Sequence, residues 1–87
     1  MRELERVLKA LANRRRLAII RLLQQRQELA VGEVAEKIHL SIKSTSRHLG
    51  VLFAADIVER DQRGLLAFYR LARQQPTPAG DVLRHLA

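Results

Sequence analysis

The chain has 87 residues, enough for a single domain with a modest core. Sixteen Lys and Arg against nine Asp and Glu give a net charge of +7, and 13 of the cations are arginine, which favours an anionic partner, either nucleic acid or a membrane surface. The absence of cysteine excludes disulfides and thiolate metal sites, and no apolar run reaches the roughly 20 residues of a membrane span.

The first two predicted elements are amphipathic helices. Leucine and valine at helical spacing predict a helix from Glu3 to Leu11. Asn13 is placed to cap a second helix, which ends in the polar run that begins at Gln24. Because the first segment alternates acids and bases and has no signal-peptide core, we expect a cytoplasmic protein.

A helix-turn-helix is predicted over residues 32–55. The third helix ends at Ile38, and His39 occupies the turn because histidine tolerates positive φ better than most residues. Ser41 is placed to cap a fourth helix that runs to Ala55.

The fourth helix has two chemically different sides when its residues are placed at 3.6 per turn. The inner arc, which packs on the third helix, contains Thr45, His48, Leu49 and Leu52. The outer arc contains Lys43, Ser46, Arg47 and Gly50. A polar and cationic outer arc on a basic domain fits the major groove of DNA.

The rest of the chain changes to a β pattern. Two β-prone runs, 57–62 and 65–72, are joined at Arg63-Gly64 and predict a hairpin, and a short extended segment at 29–31 leads into the third helix. After a break, Thr77 is placed to cap a last short helix with Pro78 at its first position.

Three segments resemble the ArsR family of winged helix-turn-helix transcriptional regulators. They are LKALANRRRLAIIRLL, LAVGEVAEKIHLSIKSTSRHLGVL and IVERDQRGLLAFYRLA, and they span about residues 4–72. The resemblance implies one mainly α domain over 1–87, in the order α-α-(short β)-α-α-β-β-α, with a small β-hairpin as the wing at 57–72. The terminal segments 1–12 and 77–87 are expected to be dimerisation helices, because each has an apolar stripe that a small domain cannot cover by itself.

The chain departs from the family pattern at several positions. Members often carry Gln where this chain has Ile42, Lys where it has Gly50, and a basic residue where it has Leu65. The metal-sensing members place cysteines where this chain has Ala30 and Gly32, so no soft-metal site is expected. The DNA sequence bound and the effector are not predicted.

DNA contacts are expected in three places. The recognition helix offers Ser41, Ile42, Lys43, Ser44, Ser46 and Arg47, of which Arg47 suits a bidentate contact to guanine. The start of the second helix offers Arg14 and Arg15 to phosphates, and the wing offers Arg60 and Arg63. The alternative in each place is a solvated surface charge. For Arg16 the resemblance implies a structural ion pair.

The first and last helices are expected to pair across a two-fold axis. The interface residues would be Leu4, Val7, Leu8, Leu11, Val82, Leu83 and Leu86. Such a homodimer would set two recognition helices in successive major grooves of an inverted repeat, and the resemblance implies a repressor.

Enzyme chemistry is not expected, because no catalytic constellation, phosphate loop or metal-ligand spacing is present, and no cofactor is predicted. Asp81 and His85 are four residues apart and fall short of a metal-ligand set; a surface pair is the plainer interpretation. Two other functions stay open: a winged-helix module that binds protein, and a non-specific architectural DNA binder.

Overall fold

The computed structural model describes all 87 residues and confirms a mainly α winged helix-turn-helix. The helices are α1 (Arg2–Leu11), α2 (Arg14–Gln25), α3 (Val31–Ile38), α4 (Ile42–Ala54) and α5 (Ala79–Leu86). The strands are β1 (Leu29–Ala30), β2 (Val58–Arg63) and β3 (Leu66–Leu71).

Helix α2 is at the centre of the core. It packs against the other four helices and against β3. Ile19 and Ile20 on this helix are fully buried, as are Leu49 and Leu52 on α4. Because α3 and α4 rest on this shared core, the outer side of α4 is held in one orientation relative to the domain.

Local capping explains where the two longest helices begin. Asn13 Oδ1 accepts hydrogen bonds from the backbone N–H of Arg15 and Arg16 at 3.0 and 3.1 Å, and Ser41 Oγ accepts from Ser44 N–H at 3.1 Å. Both predicted caps are confirmed.

The predicted cap of the last helix is wrong. The structure begins α5 at Ala79 with Pro78 at the cap position, and no side chain caps it. Thr77 is one residue too early for this role, because proline occupies the position from which a side-chain oxygen would reach the first free N–H groups.

The turn of the helix-turn-helix depends on His39, which adopts the left-handed conformation with φ of 57°. Its N–H donates to Glu36 O, and the following Leu40 N–H donates to Ala35 O at 3.0 Å. This pair of bonds is a Schellman motif, which terminates α3 and turns the chain toward α4. The prediction of positive φ at His39 is confirmed.

The three strands form an antiparallel sheet in the order β1-β3-β2, so the short extended segment before α3 is a strand that pairs with the wing. Arg63 pairs with Leu66, so the hairpin turn is Gly64-Leu65, one residue later than predicted. Gly64 has φ of 60°, whereas Leu65 has no positive φ, which matches a type II′ turn with glycine at its first central position.

The terminal helices α1 and α5 contact each other, and each has some apolar residues in the core and others nearer the surface. The structure buries Val7, Leu11 and Leu83 in the core of their own chain, so of the predicted interface residues Leu4, Leu8, Val82 and Leu86 are the more accessible. Residues on α1 advance by about 100° each, so Leu8 lies about 100° around the helix from the buried Val7 and is exposed. Leu4 lies only about 20° from Leu11 around the helix, so its exposure reflects its place in the first turn of α1.

Candidate nucleic-acid interface

The outer side of α4 is open to solvent. Lys43, Ser46 and Arg47 are exposed, Ile42 is 58% exposed, and the inner Thr45 is fully buried. The division into two arcs that the sequence predicts is therefore present in the structure. It follows from the burial of one side of α4 against α2 and α3, which leaves the first half of the opposite side open. Of the remaining predicted contacts, Ser41 is exposed and Ser44 is half-buried.

The cations on this side carry no neutralising partner. The ion pairs of the structure do not involve Lys43 or Arg47, nor the exposed Arg14 and Arg15 at the start of α2. These four residues are called the cationic face below. Arg14 and Arg15 line a shallow groove together with His48 of α4, the residue next to Arg47, so α2 and α4 bring their charges to a common surface. Unpaired cations of this kind are available to phosphates.

Arg16 has a different role from its two neighbours. Its Nε donates to Ala10 O at 2.7 Å and its Nη2 donates to Lys9 O at 2.9 Å, so it caps free carbonyls at the end of α1. Its Nη1 donates to His48 Nδ1 at 3.2 Å. Arg16 is structural, as expected, but it forms these hydrogen bonds instead of the expected ion pair.

The same contact determines the state of His48. A guanidinium has only donors, so Nδ1 of His48 must accept and the ring is neutral with its proton on Nε2. Burial, followed by the positive charges of Arg16, Arg15 and Arg47, lowers the pKa of His48 below its ordinary value of 6.5. His48 is therefore a neutral link between α2 and the recognition helix.

The two wing arginines lie on opposite faces of the hairpin, because side chains alternate along a strand and the two residues are three apart. The guanidinium of Arg60 lies 4.4 Å from the ring centroid of Phe53 on α4. Arg63 lies 4.5 Å from the Phe68 centroid and bonds to Glu28 and Asp61. The structure thus separates two residues that the sequence had placed together, and only Arg60 is on the side of α4.

Two neighbours of the site were missed at the sequence level. Phe53 lies within about 20° of Ser46 around α4, so its place on the outer arc was readable from helical geometry. Glu28 meets Arg63 across 35 residues of chain, and no local pattern marks such a pairing. The wing tip itself is apolar, since Leu65 is 100% exposed and Leu66 is 54% exposed.

Other kinds of site find little support in the geometry. No group of three or more His, Cys, Asp or Glu side chains is arranged to hold a metal ion. On α5, Asp81 and His85 do not form a surface pair; Asp81 pairs with Arg84 instead. None of the helices combines the length and the apolar character that crossing a membrane requires.

Comparison with known proteins agrees with this geometry. The model of a family described as a helix-turn-helix domain matches residues 11–61. The chain is 34% identical over 80 residues to the transcriptional activator HlyU of Vibrio cholerae, covering 92% of this chain and 73% of that protein. It is 31% identical over 71 residues to the arsenical resistance operon repressor of Bacillus subtilis, covering 82% and 68%.

A solved structure extends the likeness to three dimensions. The homodimeric winged helix-turn-helix DNA-binding domain of a possible ArsR-family transcriptional regulator from Mycobacterium bovis superposes with a TM-score of 0.78 at 36% identity, covering 97% of this chain and 71% of that one. The family model, the curated relatives and the solved structure all indicate a helix-turn-helix regulator. The chain belongs to the ArsR family of winged helix-turn-helix transcriptional regulators.

Proposed function

We propose that the protein is a homodimeric repressor that binds an inverted-repeat operator through α4. The observation that carries this proposal is the outer side of α4, where Lys43, Ser46 and Arg47 are exposed and no carboxylate pairs with either cation. In the major groove, Arg47 bonds to guanine O6 and N7, and Ser46 bonds to a base edge or a phosphate. Ile42 offers only apolar contact, which suits a thymine methyl.

The proposed backbone contacts flank the recognition helix. Arg14 and Arg15 at the start of α2 bind phosphates and set the register of α4 in the groove. Arg60 has no carboxylate partner and lies beside Phe53 of α4, so it is the wing residue best placed to join them. Contacts of this kind supply affinity for any duplex, whereas Arg47 supplies preference for a sequence.

The proposed dimer interface lies on the terminal helices. Leu8 is 48% exposed and Leu4 is 39% exposed on one side of α1, and Val82 and Leu86 on α5 are half-buried. A two-fold axis would bring two copies of this surface together and cover them. The Mycobacterium bovis relative is described as homodimeric, which supports this arrangement. Two recognition helices would then meet half-sites about one helical turn, or a multiple of it, apart.

Repression follows if the bound dimer overlaps a promoter. One curated relative is named a repressor and another an activator, so the direction of regulation is part of the proposal. A regulator that binds DNA acts in the compartment that holds the DNA, and we propose the cytoplasm for this protein. The metal-sensing cysteines of the family are replaced here by Ala30 and Gly32, so the proposed regulator responds to no soft metal at that place.

The test begins with selection of bound duplexes from a random pool. We expect an inverted repeat bound at least about 1,000-fold tighter than bulk DNA, the lower end for specific regulators. Arg47→Ala should then lose about 1–3 kcal/mol of preference at one or two base pairs in each half-site. Arg73→Ala is the matched control, because Arg73 is an exposed arginine outside the cationic face and its loss removes the same charge.

Two outcomes would favour other functions. If no duplex binds even at low salt, the winged helix is a protein-binding module. If binding weakens steeply with salt but no sequence is preferred, the protein is an architectural DNA binder. An unchanged consensus for Arg47→Ala would refute the role of that residue while leaving DNA binding intact.

A further inference from the structure

Glu28 occupies an unexpected position between the end of α2 and the wing. Its Oε2 accepts from Arg63 Nη2 at 2.8 Å and from Arg70 Nη1 at 3.3 Å. The Glu28 side chain is only 23% exposed, so water has limited access to replace these bonds. One carboxylate therefore ties two wing arginines to the body of the domain.

A second carboxylate completes the coordination of Arg63. Asp61 Oδ2 accepts from Arg63 Nε at 3.0 Å, and the guanidinium also lies over the Phe68 ring. Hydrogen bonds to Glu28 and Asp61 raise the pKa of Arg63, as expected for a cation held by two anions. On β3, directly opposite Glu59 of β2, Arg70 Nε donates to Glu59 Oε1 at 3.0 Å.

The charges of this cluster decide how the wing meets DNA. Glu28, Glu59 and Asp61 contribute three negative charges against the two positive charges of Arg63 and Arg70, which leaves the cluster at −1. A phosphate approaching Arg63 meets a cation that is already paired with two carboxylates, whereas the unpaired Arg26 and Arg73 lie beside Glu59 and Arg70. Arg63 can offer Nε and Nη2 to a phosphate in a bidentate contact only after these atoms leave Asp61 and Glu28.

We propose that Glu28 is a positioning residue that holds Arg63 away from the DNA backbone and so lowers the affinity of the protein for duplex DNA. The inference rests on the proposed DNA-binding function. It assigns the wing arginine to an intramolecular contact in the free protein. A stronger contact between Glu28 and Arg63 then means weaker binding to duplex DNA.

The experiment compares Glu28→Gln with Glu59→Gln on one duplex. Both substitutions remove one negative charge near the wing, but only Glu28 contacts Arg63, whereas Glu59 contacts Arg70 alone. Glu28→Gln should bind more tightly than Glu59→Gln at low salt. One added phosphate contact contributes about 0.9 to the salt slope, so this advantage should shrink about 3.5-fold between 50 and 200 mM salt.

A double substitution isolates the contact. In an Arg63→Ala background, Glu28→Gln should lose its advantage over Glu59→Gln, because the residue that it releases is gone. Asp61→Asn serves as a second probe on the exposed wing, where the loss of a carboxylate does not threaten folding, and it should also tighten binding. Thermal unfolding of each variant confirms that the compared proteins are folded.

The outcomes separate the two proposals. If the wild-type protein binds no duplex, the proposed function fails. If it binds but Glu28→Gln and Glu59→Gln shift affinity equally, the gain is a general charge effect and the role of Glu28 is refuted. Weaker binding by Glu28→Gln would also refute it, since Glu28 would then orient Arg63 toward DNA.

Discussion

Arg16 provides the sharpest test of how the domain is held together. Its guanidinium joins the end of α1 to α4 through bonds to Ala10 O and His48 Nδ1, and a third bond reaches the exposed carbonyl of Lys9. Arg16→Met keeps much of the apolar stem and removes all three bonds. The change therefore measures the hydrogen bonds with little loss of packing.

The expected loss follows from the surroundings of each bond. A hydrogen bond from a charged donor contributes about 1.5–3 kcal/mol. The carbonyl of Lys9 can turn to water, so only the bonds to Ala10 and His48 are counted. Because both are half-buried, the lower value applies to each, for a total of about 3 kcal/mol. A chain of this length has a stability of about 4–13 kcal/mol, so the loss is a large fraction of it.

Urea unfolding followed by circular dichroism measures this loss at one fixed protein concentration, because dimer stability depends on concentration. Arg15→Met is the matched control: Arg15 lies in the same turn, is exposed, and its side chain forms no hydrogen bond within the chain. The control should change stability by less than about 0.5 kcal/mol. If the two variants unfold at the same urea concentration, the assigned role of Arg16 is wrong.

Three further predictions concern the core, the dimer and pH. Thr45→Val should raise the free energy of unfolding by about 1 kcal/mol in the same assay, because Thr45 is fully buried and its Oγ1 has no partner. Leu8→Asp should produce monomers in sedimentation experiments, whereas Leu65→Asp, at the exposed wing tip, should leave dimers intact. Because the pKa of His48 is lowered in the folded chain, the unfolded chain binds a proton at this histidine at a higher pH than the folded chain does. Stability should therefore fall as pH drops below about 6.5. His48→Gln should weaken that pH dependence, measured as the difference in unfolding free energy between pH 7 and pH 5.

Each of these has a clear contrary result. A destabilised Thr45→Val would mean that its hydroxyl has a partner, such as an ordered water. Monomers from Leu65→Asp, or dimers from Leu8→Asp, would move the interface away from α1. An identical pH profile in His48→Gln would mean that other groups carry the acid sensitivity.

Local physics is why much of the fold was predictable. Apolar residues at helical spacing located all five helices. The side chains of Asn13 and Ser41 fix where α2 and α4 begin, because each bonds to an N–H group only two or three residues later. The open surface of Lys43 and Arg47 followed from the angle between residues on α4. These features depend on neighbours no more than a few residues apart, so they are readable from the sequence.

Only the tertiary structure decided which partner each side chain meets. A helical stripe predicts that α1 has an apolar side, but the packing of α2 and α5 determines that Leu11 is buried and Leu8 is exposed. Arg16 and Arg63 are both arginines in polar segments of the sequence. In the structure, Arg16 caps the end of α1, whereas Arg63 bonds to Glu28. Arg16 also reaches His48, 32 residues away, and Glu28 lies 35 residues from Arg63, so these contacts form only once helices and strands have packed together.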